Sequence, residues 1–191
     1  MGLGDQFIQI AQQSYAKDAI LTTDYTANYI TKGNGFQIHK RVTISGNQTL
    51  YITLDATATA ASGMYLYSLP VVIAPNQGNI FVDTYNVPSY TGGTVFATPI
   101  NLNELSPIAS LSVAKIGITT SGTITNLREY SIGAPLTNQS SGGGAPPIGI
   151  AKILDNRKPI IVKIMNQETA TVILDFNFAW FEIPPYVPIG G

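Results

Sequence analysis

Residues 172–183 read VILDFNFAWFEI, and the spacing of their apolar side chains constrains the fold more than any other feature of the chain. Val172, Leu174, Phe176, Phe178 and Trp180 are apolar at every second position, while the early odd positions include Thr171, Asp175 and Asn177. A period of two sends one set of side chains to a core and the other towards water, which is the pattern of a strand and not of a helix. The alternation then stops. Phe178, Ala179, Trp180 and Phe181 are consecutive apolar residues, so both faces of the strand are expected to be covered at that end. Contact with a second subunit is the simplest cover, and a packed loop or an N-terminal helix would also serve.

The same period recurs through most of the chain. In FQIHKRVTI, Phe36, Ile38, Val42 and Ile44 share one face, and after the SGNQ turn Leu50, Ile52 and Leu54 alternate with Tyr51, Thr53 and Asp55. That pair of segments predicts a β-hairpin. Further strands are predicted over 64–73, 79–85, 111–119, 148–154, 159–165 and 170–183, with a weaker one over 123–130. The segments APNQGN, NVPSYTGG, TTSG, DNRK and NQET read as turns between them. Many short strands with no helix between them indicate an all-β antiparallel sandwich or barrel. One helix is predicted ahead of it, from Asp5 to Ile20, with Phe7, Ile10, Ala11, Ser14 and Tyr15 along a narrow stripe. Such a helix is marginal in water unless the stripe docks on something, either its own domain or a neighbouring protein. The chain therefore divides into an N-terminal helix or arm over 1–34, a sandwich over 35–183 and a Pro/Gly-rich tail over 184–191.

Charge is scarce. Only 11% of the 191 residues are charged, while 45% are hydrophobic. A soluble domain usually carries about twice that share of charge, so a surface partly covered by neighbours is expected. A net charge of −1 without a basic stripe argues against nucleic acid as a partner. No stretch reaches the roughly 20 apolar residues that span a bilayer, so no membrane partner is expected. The first residues lack a basic region followed by an unbroken apolar run, which predicts synthesis in the cytoplasm. The absence of cysteine rules out disulfides and thiolate chemistry.

Nothing in the pattern predicts a catalytic or metal site or a bound cofactor. The triple glycine of SSGGGAPP leads into a strand-like segment, and the next lysine is Lys152, so it reads as a flexible loop and not as a phosphate cradle. His39 alternates with Gln37 and Arg41 on a polar strand face, a structural position. Tyr65 and Tyr67 share one face of a strand, and Tyr85 and Tyr90 flank a loop, positions from which tyrosines cover a sandwich, meet another protein or stack on a sugar.

Residues 92–183 run from a hydrophobic segment into an Asn-rich turn, TPINLNELSP, then to a strand and glycine turn, LSVAKIGITTSGTI, and the glycine loop SSGGGAPP. The strand pair IAKILDNRKPIIVKIMN and a last strand closing on aromatics and Glu, LDFNFAWFEI, complete the series. This order of features resembles the small head decoration or head-fibre proteins of tailed phages. Glu104 stands where the resemblance leads one to expect a basic residue, and the tail PPYVPIGG continues past the usual end. The resemblance implies a jelly-roll sandwich similar to tumour necrosis factor, a homotrimer, and a virion structural protein docked on the major capsid protein at the capsid surface. On that basis Phe7, Ile10 and Tyr15 are the expected capsid-docking residues, and Phe178, Ala179, Trp180 and Phe181 the expected subunit interface. A carbohydrate- or receptor-binding sandwich of a phage tail or fibre is the alternative.

Overall fold

The structure is a computed structural model, and residues 29–69, 71–133 and 152–184 are described. The helix predicted over Asp5 to Ile20, the glycines at 142–144 and the tail from 185 onward lie outside the described residues.

From Gly35 onward, twelve strands and one short helix follow one another among the described residues. In chain order they are β1 (Gly35–Ile44), β2 (Thr49–Asp55), α1 (Thr57–Ala61), β3 (Tyr65–Ser68), β4 (Val72–Pro75), β5 (Asn79–Asn86) and β6 (Ser89–Ala97). Then come β7 (Ile100–Asn101), β8 (Val113–Ser121), β9 (Thr125–Gly133), β10 (Lys152–Leu154), β11 (Ile160–Asn166) and β12 (Val172–Ile183). One sheet has the order β10-β3-β12-β1-β7, with β4 also paired to β12. The other has the order β6-β8-β2-β11-β5-β9. The pairings are antiparallel. With β6 to β8 set aside, the chain crosses between sheets at every connection except those from β3 to β4 and from β5 to β9, giving β1-β12-β3/β4-β10 packed on β2-β11-β5-β9. That is the connectivity of a jelly roll. The β6–β8 pair extends the second sheet beyond β2, and β7 crosses to the edge of the first.

Why this topology follows from the sequence is clearest at β12. Its even residues face the space between the sheets, where Leu174, Phe176 and Trp180 have no exposed surface. Trp180 packs at 6.2 Å from Phe36 and 5.6 Å from Phe178, and Phe176 meets Phe96 edge-on at 5.5 Å. Aromatic pairs at these separations each add about 1 kcal/mol beyond the area that they bury. From the second sheet, Ile52, Leu54, Val162 and Ile164 complete the core.

The predicted hairpin of β1 and β2 is overturned. β1 pairs with β12 over ten residues and β2 pairs with β11 and β8, so the SGNQ segment is a corner between sheets. The buried side chain of Asn166 holds that corner by donating to the carbonyl oxygens of Ile44, Ser45 and Ala170. Three further differences have local causes. The segment expected as one strand over 64–73 is two, with β3 along Trp180 to Ile183 and β4 along Leu174 to Asn177 of β12. Pro70 falls between them in the sequence and has no N–H to give to a ladder. The short helix α1 interrupts the expected helix-free sandwich, its start tied by Asp55 Oδ1, which accepts from the Thr57 N–H at 3.1 Å and the Thr57 hydroxyl at 2.7 Å. And β6, whose Thr- and Gly-rich residues show no alternation, was expected in part as the turn NVPSYTGG. It pairs with β8 along its length.

Candidate interaction surface

The end of β12 gathers the aromatic residues that sequence places at a subunit interface. Phe178 and Trp180 belong to the core between the sheets. Phe181 points the other way, with Ala179 and Asn177, yet only 2% of it is exposed. Its ring lies 6.3 Å from Tyr29, just before β1, and 6.3 Å from Tyr67 on β3. Gly35 backs it closely: a Cβ there would stand 2.9 Å from Phe181 Cε1. The chain's own residues thus cover Phe178, Trp180 and Phe181, and of the four only Ala179 is half-buried.

The next residue ties this end to the Asn-rich turn. Glu182 is 3% exposed, and its carboxylate accepts from five donors. Oε1 takes the hydroxyls of Ser110 at 2.6 Å and Ser112 at 2.9 Å, the Ser112 N–H at 3.2 Å and the Trp180 indole N–H at 3.4 Å. Oε2 takes the Leu111 N–H at 3.2 Å. A carboxylate removed from water needs this full complement of donors.

The other end of the same loop is pinned by asparagines. Asn101 Nδ2 donates to the carbonyls of Gly33 at 2.7 Å and Ile108 at 2.9 Å, and its Oδ1 accepts from the Asn103 N–H at 2.9 Å. Asn103 Nδ2 donates to the Thr31 carbonyl at 2.9 Å, and its Oδ1 accepts from the Leu105 N–H at 3.1 Å. Gly33, at φ +76°, leaves room for Ser106, whose hydroxyl would lie 2.0 Å from a Cβ on that residue. The loop over 102–112 is therefore held in one conformation.

Its apolar side chains nevertheless face water. Leu105 is 94% exposed, Ile108 46%, Leu111 41% and Val113 42%. Aliphatic groups displayed on a backbone fixed in advance are suited to binding, because little chain entropy remains to be lost on contact. The strand alternation gave no sign of this surface. The Asn-x-Asn of residues 101–103 and the lone Glu closing β12 were the available signals, each a side chain able to tie a loop.

Several of the other ionisable groups have structural partners. Arg41 binds Asp175 at 2.9 Å and Arg157 binds Asp155 at 2.8 Å, and each arginine holds its carboxyl below the usual range. Lys163 binds Asp83 at 3.1 Å, and Glu168 accepts from the Asn79 N–H at 3.3 Å. Tyr90 donates to Asp55 at 2.9 Å, and burial together with that carboxylate pushes its hydroxyl up to about 12. Tyr85 sits with Val87, Ile118 and Ile161 in a second small cluster, flanked by Tyr51 and Tyr90. His39 is exposed on the outer face of β1, opposite Asn177.

Among the described residues, no group of three or more His, Asp or Glu side chains is placed to hold a metal ion, and no helix is long and apolar enough to cross a membrane. A small, partly open cavity beside Phe178, Leu154, Tyr130 and Val162 measures about 50 Å³. A wider, open depression of about 500 Å³ lies beside Tyr65, Ile153, Asp155 and Arg157. Phe7, Ile10 and Tyr15 lie outside the described residues. No protein-family model matches the chain, and no curated protein matches it.

Proposed function

We propose that the chain is a virion structural protein of a tailed phage, a homotrimer that decorates the head by docking on the major capsid protein through its N-terminal segment. The observation that carries this reading is the fixed junction at residues 31–33. There the chain leaving that segment is clamped by Asn101 and Asn103 onto a rigid jelly roll. A sticky segment leaving a rigid body at a defined point is suited to attachment, and three copies in a trimer multiply a weak contact through effective concentration. The low charge of the chain and the resemblance over residues 92–183 support the same reading.

Self-association, on this reading, uses exposed residues around the aromatic end and not the buried rings themselves. Tyr65 and Ile153 are exposed at 49% and 63%, on the strands flanking Tyr67 and Phe181. Light scattering of the purified protein is expected to give three times the chain mass. Cosedimentation with undecorated heads is expected for the wild type and lost for Phe7→Ser/Ile10→Ser/Tyr15→Ser. A concentration-independent monomer, or undiminished binding by the triple variant, counts against the reading.

The depression beside Tyr65 favours a second reading, the glycan- or receptor-binding module. A half-exposed ring next to the Asp155–Arg157 pair offers a stacking face and polar partners for sugar hydroxyls. Glycan-array binding that is lost in Tyr65→Ala would favour it.

A further inference from the structure

We propose that in the free protein the apolar stripe of the N-terminal segment, Phe7, Ile10 and Tyr15, is seated on the aliphatic loop of the same chain, over Leu105, Ile108 and Leu111. The inference concerns the free protein and holds whether or not the partner is a capsid.

The loop is a rigid surface that lacks a cover among the described residues: its aliphatics are displayed, while its backbone is tied at both ends to Glu182 and to residues 31–33. The chain outside the described residues ends beside it. Thr31 and Gly33 are hydrogen-bonded to the loop's asparagines, and Ile108 Cδ1 lies 3.3 Å from the position a Cβ on Gly33 would take. Residues 1–28 therefore enter at the loop's edge.

Reach is ample. The stretch from Tyr15 to Tyr29 spans on the order of 20 Å even at a helical rise of about 1.5 Å per residue, and more if extended. A tether this short sets an effective concentration on the order of millimolar, so a weak apolar contact is populated within one chain before a second copy can compete. Charge plays little part. Between Ile100 and Val113 the sole charged residue is Glu104, and residues 1–28 carry Asp5, Lys17, Asp18 and Asp24, so the contact is one between apolar side chains. The consequence is a competition: any partner that takes the stripe must draw it off the loop, and the loop keeps an adhesive segment covered until then.

The test uses the full chain in solution without heads. Carbene labelling followed by mass spectrometry measures the accessibility of Leu105 and Ile108 in the wild type and in Phe7→Ser/Ile10→Ser/Tyr15→Ser. Labelling of the loop is expected to rise about threefold or more in the variant, with β12 unchanged, as for a site opened from a cover. Equal labelling in both proteins would overturn the proposal. So would loop protection in the wild type that fades on dilution, because the cover would then be a second copy. The reciprocal variant, Leu105→Asp, changes a residue that the sandwich itself leaves in water, so the sandwich is expected to keep its wild-type unfolding midpoint. Limited proteolysis within residues 1–28 should quicken about fivefold or more in it, and an unchanged rate would overturn the proposal. Both readouts are independent of head binding, so a failure to bind heads would remove the decoration reading and leave this one standing.

Discussion

Two apolar regions meet at Glu182, and they have opposite fates. On one side, Phe178, Trp180 and Phe181 look like a surface awaiting a partner, yet the core between the sheets takes the first two and Tyr29 and Tyr67 cover the third. On the other side, the loop over 102–112 reads as an Asn-rich turn, yet it holds Leu105, Ile108 and Leu111 out to water on a backbone with its polar groups tied down. The lesson is physical. Hydrophobicity states that a side chain gains by leaving water, whereas polar tethers decide whether it can turn inward. The aromatic rings lie on a strand with neighbours on both faces. The loop's aliphatics lie on a backbone whose carbonyls and amides are already committed to Asn101, Asn103, Ser106 and Glu182.

This contrast can be broken by substitution, beginning with the largest effect. Phe181→Ala empties a packed site within the chain and is expected to cost about 3–5 kcal/mol, while the mass of the folded protein in solution is unchanged. Scanning calorimetry with light scattering checks both halves of that statement. Glu182→Ala leaves the Ser110 to Ser112 donors without an acceptor and should cost about 3 kcal/mol, a fall of roughly 6–12 °C in midpoint for a chain of this size. The loop amides should then exchange faster, which hydrogen exchange reads directly.

A smaller effect belongs to Tyr90. Its folded pKa is raised to about 12, so between the ordinary tyrosine value and that point the folded state keeps a proton that the unfolded state has lost. Stability is complete below about pH 10 and falls as pH rises through this window. Tyr90→Phe should flatten that alkaline limb in denaturant titrations. The smallest effect is at Leu105. Leu105→Ser should change stability by less than about 0.5 kcal/mol in chemical denaturation, because the described part of the fold leaves its side chain in water and the contact with the N-terminal stripe is a weak one.

The sandwich was legible because period-two patterning survives wherever one face of a strand is wet, as in Phe36 to Ile44 and Val172 to Trp180. The connections were less so. A turn such as Ser45 to Gln48 serves a hairpin or a corner equally well, and what decides between them is Asn166, more than a hundred residues away. β6 escaped notice because Thr, Gly and Ser carry no apolar phase, and its existence depends on pairing with β8. At the aromatic end, the loss of alternation correctly implied cover on both faces, but no local pattern names the cover. Tyr29 and Tyr67 reach Phe181 from separate segments. The exposed loop left the faintest trace, since outward display depends on hydrogen bonds between residues such as Ser110 and Glu182.

Trp180 is the chain's one tryptophan, so its fluorescence reports on the aromatic end alone. Its emission and its quenching by acrylamide should be followed while the protein is diluted until light scattering gives the mass of a single chain. If the chain itself covers this end, the emission maximum and the quenching constant stay constant from the assembled protein to the single chain. A red shift with rising quencher access as the mass falls would show that a neighbouring subunit supplies the cover, and would contradict the account.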